Sequence, residues 1–512
     1  MIAKVSCAAL LGIDAYPVDL EVDLAKQGLP SFTMVGLAEG AVRESKERVM
    51  AALKNSGYRL PPARITVNLA PADMRKEGTA YDLPLALGLL CAQSILDPDK
   101  LQGWFFAGEL SLSGEVKHVP GILPLAVRAH QEHAHGLMVS IDDAPEAAVV
   151  EGLPVIPVTS LTQAVKYFSG DVHIEPYSPA LNKDSTPESL HLLDFAEVKG
   201  QEHAKRAIEI AASGMHNLLF LGPPGSGKTM LAQRIPTVLP ELTLPEALEV
   251  TKIFSVSGQL NANNGLVSER PFRSPHHTIS DAGLVGGGTY PKPGEVSLAH
   301  RGVLFLDELP EFKKSVLEVM RQPLEDGTVT ISRAAISLSY PADFMLVAAM
   351  NPCPCGYLTD QHHSCYCTPR QIQAYRSRIS GPLLDRIDLH VEVPAVPYKD
   401  LKAKATGISS AFMRERIAKA RAKQAERFQN THLITNSDLS GKWLDAHCAL
   451  GAEEHNFLEQ AVKQLGLSAR AYTRVLRISR TIADLNDDDS LSVSHLAEAL
   501  NYRTLDRPLT SS

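Results

Sequence analysis

The spacing of apolar and polar residues changes several times along the chain, and each change predicts a different kind of element. Val18-Asp19-Leu20-Glu21-Val22-Asp23-Leu24 alternates apolar and acidic residues with period two, as a half-buried strand does. A charged helix is expected over residues 38–55, with Val42, Val49, Ala52 and Leu53 on its buried side. A second strand is expected over 65–69 and an apolar helix over 83–90, which makes residues 1–170 an α+β segment. Between Gly170 and Leu190 the period disappears. Pro176, Pro179 and Pro187 stand there among Ser, Asp and Asn, so 171–192 reads as a linker. The next stretch, 193–396, has an Ala-rich helix over 203–212 and three uninterrupted apolar runs, at 218–221, 303–306 and 344–350. Short runs of that kind are strands buried on both faces of a parallel sheet. From Tyr398 onward the spacing is helical, over 411–428, 454–465 and 468–485, so 397–512 is expected to be a small helical domain. The whole is α/β.

Composition narrows the possibilities. The 512 residues exceed a single core, and 44% hydrophobic with 21% charged residues is an ordinary soluble composition. Polar residues follow Met1 too soon for a secretory signal, and no apolar run approaches the roughly 18 residues of a membrane span. A net charge of −8 argues against a generally basic surface, so any DNA contact is expected to be local, in a groove or ring lining. Seven cysteines, four of them in one short segment, fit a reducing cytoplasm better than a disulfide framework.

The chemistry centres on Gly222-Pro223-Pro224-Gly225-Ser226-Gly227-Lys228-Thr229, placed between an apolar strand and a helix. In that context the glycines let backbone N–H groups close around nucleotide phosphates. Lys228 reaches the β- and γ-phosphates and Thr229 offers a hydroxyl to Mg²⁺, so ATP and Mg²⁺ are the expected ligands. The apolar run 303–306 ends in Asp307 and Glu308, at the strand end where α/β folds bind ligands. Asp307 is expected to hold Mg²⁺ through water and Glu308 to polarise the attacking water. Asn351, at the end of the next apolar run, is the expected γ-phosphate sensor.

Four thiols, Cys353, Cys355, Cys365 and Cys367, form the clearest metal pattern, suited to a closed tetrahedral Zn²⁺ site of structural role. His362 or His363 could replace one of them, and a disulfide-bonded pair of turns is the alternative. Residues 325–338 read as a hairpin with Arg333 near its tip, either a DNA contact or a solvated surface cation. The segment 271–278, containing Arg273 and the adjacent His276 and His277, reads as a DNA- or subunit-facing loop in preference to a metal site.

Two resemblances add to this. Residues 75–84 and 108–116 resemble stretches of the protease domain of Lon and of RadA-type recombination proteins, which implies a ribosomal-S5-domain-2-like fold for the first segment. The Lon serine and lysine positions fall on Ala80 and Leu125, neither of which can act, although Ser111, Ser113 and Lys117 are near. The nucleotide motifs, Asn351-Pro352 and Leu383-Leu384-Asp385-Arg386-Ile387-Asp388 together resemble the YifB/ComM family of magnesium-chelatase-like AAA+ ATPases over nearly the whole chain. The resemblance implies an AAA+ core with a C-terminal helical lid, and packing of 195–212 against adenine, where an ordinary amphipathic helix is equally compatible. It implies Arg386 as an arginine finger reaching a neighbouring subunit, against a local ion pair with Asp385 or Asp388. Arg470 matches the second-sensor arginine, with Arg474 as fallback and a solvated basic stripe as alternative. It also places the 325–338 hairpin where related helicases carry a pore hairpin, so that a homohexamer would set six cations around a channel. The function implied is a hexameric DNA helicase driving branch migration on recombination intermediates in natural transformation, with recombination proteins as candidate partners. A protein-remodelling ATPase, as the magnesium-chelatase motor is, and an ATP-dependent protease are the alternatives.

Overall fold

The computed structural model describes residues 2–25, 29–37, 40–178, 193–260, 265–288, 290–333, 336–358, 360, 363–396, 407–503 and 505. Its first sheet has seven strands in the order Ser31–Val35, Arg64–Ala70, Asp14–Ala25, Ile2–Leu11, Trp104–Phe106, Gly136–Ser140, Val155–Val158. Alternation works as expected in Asp14–Ala25: Val18, Leu20, Val22 and Leu24 are buried and the acidic residues between them are not. The charged helix spans Gly40–Asn55 and buries Val42, Val49, Ala52 and Leu53. The apolar helix, Asp82–Ala92, is buried on every side because it is covered by both the long antiparallel strands and the charged helix.

The other half of this sheet was not anticipated. Trp104–Phe106, Gly136–Ser140 and Val155–Val158 are parallel strands, with the helix Ile122–Gln131 between the first two. These strands hold three to five residues, too few for a period to register. Ala80 and Leu125 lie in one apolar cluster beneath this half. Ser111 and Ser113 hydroxyls bond each other (2.8 Å) in the turn of a small hairpin, and Lys117 pairs with Glu115 (2.7 Å). Of the expected linker, Tyr177 N–H donates to the Val155 carbonyl (2.7 Å), which lays that stretch against the first sheet; 179–192 fall outside the described residues.

The second sheet is parallel throughout, in the order Phe272–Arg273, Val303–Leu306, Met345–Met350, Leu218–Leu221, Leu389–Glu392. Three of its strands are the apolar runs read from the sequence. Their register sets Leu221 beside Met350 and Leu306 beside Ala348, so the segments that follow these strands converge on one edge. The Thr328–Arg333 and Ile336–Pro341 strands form the expected hairpin, burying Val329, Ile331, Leu338 and Tyr340 on one face. Helices Ser410–Arg427, Ala452–Leu465, Ala469–Asn486 and Val493–Asn501 follow. Ile417, Val475 and Ile482 join Ile208 and Ala211 in the core cluster under the second sheet. No helix among the described residues is long and apolar enough to cross a membrane.

The helix Leu244–Ser257, opened by a Thr243–Glu246 capping box, joins the two sheet units. Lys252 pairs with Asp14 (2.8 Å), Tyr290 donates to the Leu10 carbonyl (2.9 Å), and Gly121 N–H donates to the Ser255 carbonyl (3.1 Å). At the centre of this joint Glu146 accepts from Leu123 N–H (2.6 Å) and from the Ser255 hydroxyl. Burial pushes its carboxyl up to about 7, against the opposing pull of those two hydrogen bonds. A carboxyl raised in the folded state adds stability that is complete below its unfolded pKa and is lost as pH rises through about 7. Glu146→Gln, which keeps an acceptor without a charge, is therefore expected to flatten that slope. Between pH 5.5 and 8.5 the apparent Tm of the wild type should fall further than that of the variant, by the equivalent of about 1–3 kcal/mol. Parallel Tm-against-pH curves for the two proteins would remove Glu146 from the joint's pH response.

Candidate nucleotide-binding site

The Leu218–Leu221 strand ends at Gly222, and the chain turns through 222–227 before the helix Lys228–Arg234 begins. Gly222 passes so close to Val393 that a Cβ on it would lie 2.1 Å from the Val393 carbonyl oxygen. Gly225 and Gly227 take φ of 75° and 91°, a region side-chain-bearing residues rarely enter. Ser226 is buried, and its hydroxyl is without a hydrogen-bond partner among the described residues. A loop so closely built around an unsatisfied polar atom fits a phosphate group.

Lys228 extends from the first residue of the helix back over the loop. Its ammonium donates to Gly222 O (2.8 Å), Pro223 O (2.9 Å) and Asn351 Oδ1 (3.3 Å). Burial holds its pKa below the usual lysine value, against the pull of Asp307 and Glu308. Thr229 Oγ1 donates to Asp307 Oδ2 (2.8 Å), and the Glu308 N–H donates to Asp307 Oδ1 (2.9 Å). A hydroxyl and a carboxylate side by side form the oxygen donor set that Mg²⁺ takes. Lys228, Thr229, Asp307, Glu308 and Asn351, drawn from three separate strand ends, thus lie together.

Glu308 has a feature the sequence did not disclose. Its φ is 53°, and its carboxylate lies 3.3 Å from His277 Nδ1. His277 in turn lies against the ring of His276, tilted by 33° at 4.1 Å, and stands edge-on to Phe312 at 6.4 Å. The cause is strand pairing: Phe272 and Arg273 pair with Val303 and Leu304, so the chain beyond Arg273 runs beside the end of the Asp307–Glu308 strand. The segment 271–278 is therefore not wholly a loop, since it starts as the edge strand. Arg273 itself is turned inward, held by both oxygens of Glu295 (2.6 and 2.7 Å). Arg333 closes its strand, with its backbone paired to Ile336; the turn at 334–335 falls outside the described residues.

Arg386 and Arg470 are brought to each other and not to the phosphate loop. Arg386 donates to Pro382 O (2.7 Å) and pairs with Glu325, while Arg470 pairs with Asp385 (3.3 Å). The local partner expected for Arg386 was Asp385 or Asp388, but Asp388 is buried and engaged elsewhere. It accepts from Asn217 N–H (3.0 Å) and pairs with Arg474 (3.2 Å). Both arginines line one polar cleft of about 960 Å³ between the second sheet and the C-terminal helices, together with Arg474 and Arg477. None of residues 222–229 lines that cleft.

Beyond Asn351 the chain folds Cys353, Cys355, Cys365 and Cys367 so that all four sulfurs lie within 4.8 Å of one another. The separations given by Cys353–Cys355 (3.3 Å), Cys355–Cys365 (3.6 Å) and Cys353–Cys365 (3.7 Å) approach the edge of a tetrahedron with ~2.3 Å metal–sulfur bonds, about 3.8 Å. The backbone N–H of Tyr357, foremost among several donors, pulls the Cys355 thiol down to about 6. Sulfurs at these spacings fit a thiolate-bound metal, although the neighbouring sulfurs that lower Cys355 raise Cys365 and Cys367 in turn. His363 is occupied with Asp360 and the ring of Tyr357, and His362 falls outside the described residues.

Comparison with known proteins agrees with this geometry. The magnesium chelatase, subunit ChlI, family matches residues 194–401; the subunit ChlI of Mg-chelatase family matches 20–143, and the ChlI C-terminal family matches 407–503. Competence protein ComM of Haemophilus influenzae is 46% identical over 512 residues, covering 99% of this chain and 98% of that protein. YifB of Escherichia coli is 44% identical, covering 98% and 97%. The magnesium-chelatase 67 kDa subunit of Chlorobaculum parvum is 28% identical over 167 residues, 31% of this chain and 24% of that protein. With these matches spanning both sheets and the C-terminal helices, the chain belongs to the YifB/ComM family of magnesium-chelatase-like AAA+ ATPases.

Proposed function

We propose that this protein is a ring-forming, Mg·ATP-driven DNA motor that moves branched recombination intermediates. The observation that carries the reading is the separation of its parts. One edge of the chain holds Lys228, Thr229, Asp307, Glu308 and Asn351, while Arg386 and Arg470 line a cleft that these phosphate-site residues do not share. A hydrolytic site whose arginines line a different cleft is completed by a second copy of the chain, and a ring, a homohexamer by family resemblance, supplies that copy at every interface.

In the proposed site the loop 222–227 and Lys228 bind the phosphates, and Thr229 and Asp307 hold Mg²⁺. Bound Mg²⁺ would neutralise charge on the phosphate oxygens. Glu308 orients water against the γ-phosphate, Asn351 reports its presence, and Arg386 and Arg470 of the neighbour meet the charge that develops. Arg333, at the end of its hairpin strand, supplies the cation that grips the DNA backbone in the channel. The first sheet unit, read as a Lon-like domain with Ala80 and Leu125 at the dyad positions, is a collar and not a peptidase. The four cysteines hold Zn²⁺ as a structural ion. Support for DNA as the substrate comes from full-length similarity to a competence protein. A protein substrate, by analogy with the chelatase motor, is the competing outcome.

The decisive comparison is ATP turnover alone and with single-stranded DNA, branched DNA or an unfolded protein, using Lys228→Ala as control. Stimulation by branched DNA together with movement of a forked substrate is expected; stimulation by the unfolded protein alone would transfer the assignment to protein remodelling. Arg386→Ala is expected to lower turnover about 10³-fold or more. Mixing it with Lys228→Ala should restore part of the activity, since hybrid interfaces then join an intact loop to an intact arginine. Failure of the mixture to exceed either variant would exclude a site shared between subunits.

His277 gives a separate prediction. A half-exposed pair of this kind is worth up to about 1 kcal/mol, or roughly fivefold in rate. His277→Ala frees the Glu308 carboxylate and is expected to raise DNA-free turnover about two- to fivefold while reducing the ratio of stimulated to basal rate. An unchanged ratio would mean the pair plays no part in coupling.

A further inference from the structure

The cysteine loop does more than follow the sensor strand; it lies on the phosphate loop. Asn351, which accepts from Lys228, is separated from buried Cys353 by one residue, Pro352. Arg376 Nε donates to the Pro352 carbonyl (3.4 Å) from the helix behind. Gly356 N–H closes a turn onto the Cys353 carbonyl (3.0 Å), which brings Gly356 face to face with Pro224. A Cβ at Gly356 would lie 2.7 Å from Pro224 Cδ and 2.9 Å from Pro224 Cγ, and its φ is 88°. Neither a proline ring nor a left-handed backbone can yield to that contact cheaply. This contact between the cysteine turn and the phosphate loop is thus built for glycine. It lies next to Cys355, whose sulfur is within 3.6 Å of two others in the cluster.

We propose that metal bound by Cys353, Cys355, Cys365 and Cys367 braces the phosphate loop, holding Gly356 against Pro224 and Asn351 against Lys228, so that nucleotide affinity depends on metal occupancy. The proposal rests on the reading of the cysteines as a Zn²⁺ site and of 222–229 as an ATP site. Its physical basis is the short reach of the chain. One residue separates Cys353 from Asn351, whose amide Lys228 contacts, and Cys355 directly precedes Gly356, the residue that touches Pro224. Fixing four sulfurs at one ion removes the freedom of both turns at once, and the loop they touch inherits the restriction.

The test uses the full chain and measures zinc content, far-UV circular dichroism and the Kd of a fluorescent ATP analogue in the presence of Mg²⁺. Wild type should carry one zinc per chain. Cys365→Ser should lose the zinc, and Gly356→Ala, with all four thiols intact, should retain it. Both should bind the analogue at least about tenfold more weakly, the worth of one charge-assisted hydrogen bond. Returning zinc to chelator-stripped wild type should restore its affinity. A zinc-free, folded Cys365→Ser chain that binds within twofold of wild type would overturn the brace while leaving the metal site standing, and so would a Gly356→Ala chain that does the same. Wild type without zinc would overturn the metal reading and the brace with it. Zinc-loaded wild type that binds no analogue, as Lys228→Ala should not, would instead overturn the nucleotide site.

Discussion

A half-buried ammonium held by neutral oxygens is the constraint on which the rest of the molecule depends. Lys228 bonds two backbone carbonyls and one side-chain amide, and burial alone would push it toward losing its proton. The field of Asp307 and Glu308 at the end of the neighbouring strand pulls the other way. That arrangement requires three strand ends to be level to within a hydrogen bond. Only a parallel sheet with fixed register delivers this, because parallel pairing aligns the carboxyl ends of strands far apart in sequence. The apolar content of Leu218–Leu221, Val303–Leu306 and Met345–Met350 therefore serves chemistry as well as burial. It fixes the register that brings Asn351 and Asp307 to the same loop.

Much of this was legible in the sequence because the phosphate loop is a contiguous motif. Its meaning is carried by neighbours in the chain, as are strands that read as uninterrupted apolar runs. The buried side of the Gly40–Asn55 helix was legible for the same reason, since a helical period needs only local residues. Legibility fell where a feature depends on which strand pairs with which. Nothing local marks Gly136–Ser140 as a parallel strand, and nothing local tells that His277 meets Glu308 or that Arg273 meets Glu295. The last two follow from one event, the pairing of Phe272–Arg273 with Val303–Leu304. Placing a two-residue edge strand beside the Asp307–Glu308 strand would have exposed both contacts. The adjacent histidines were a signal, read as part of a DNA- or subunit-facing loop in preference to a metal site, but the carboxylate that His277 meets lies on a different strand.

Contacts across the joint between the two sheet units share this property. The Leu244–Ser257 helix begins within the nucleotide-binding unit and ends by presenting Ser255 to Glu146 of the other. Farther on, Tyr290 reaches back to Leu10. His277 and Tyr290 lie on the same excursion between the phosphate loop and the Asp307–Glu308 strand. It is therefore anchored to a carboxylate at the site and to the end of a central strand of the first sheet. Between them the helix Asp281–Val285 packs against the core through Leu284, and the short strands Gly286–Gly287 and Lys292–Pro293 pair with each other.

The cleft that holds Arg386 and Arg470 raises an energetic question for the proposed ring. In a single chain both guanidiniums already have carboxylate partners, Glu325 and Asp385, and a finger must leave its partner to serve a neighbour. The cost of leaving depends on exposure. Arg470 is 64% exposed, so its pair with Asp385 is worth about 0–1 kcal/mol, whereas Arg386 is only 11% exposed and leaves Glu325 at a greater cost. A phosphate group carries more charge than either carboxylate and accepts two parallel N–H bonds, so exchange of partners is downhill once a neighbour presents it. Asp388 makes the contrast, since it is fully engaged with Asn217 and Arg474 and its carboxyl is held well below the usual range. Burial works against that shift, but His216 and Arg474 outweigh it. The buried pair fixes the backbone that carries Arg386, and of the two cleft arginines the exposed Arg470 is the one that yields its partner more readily.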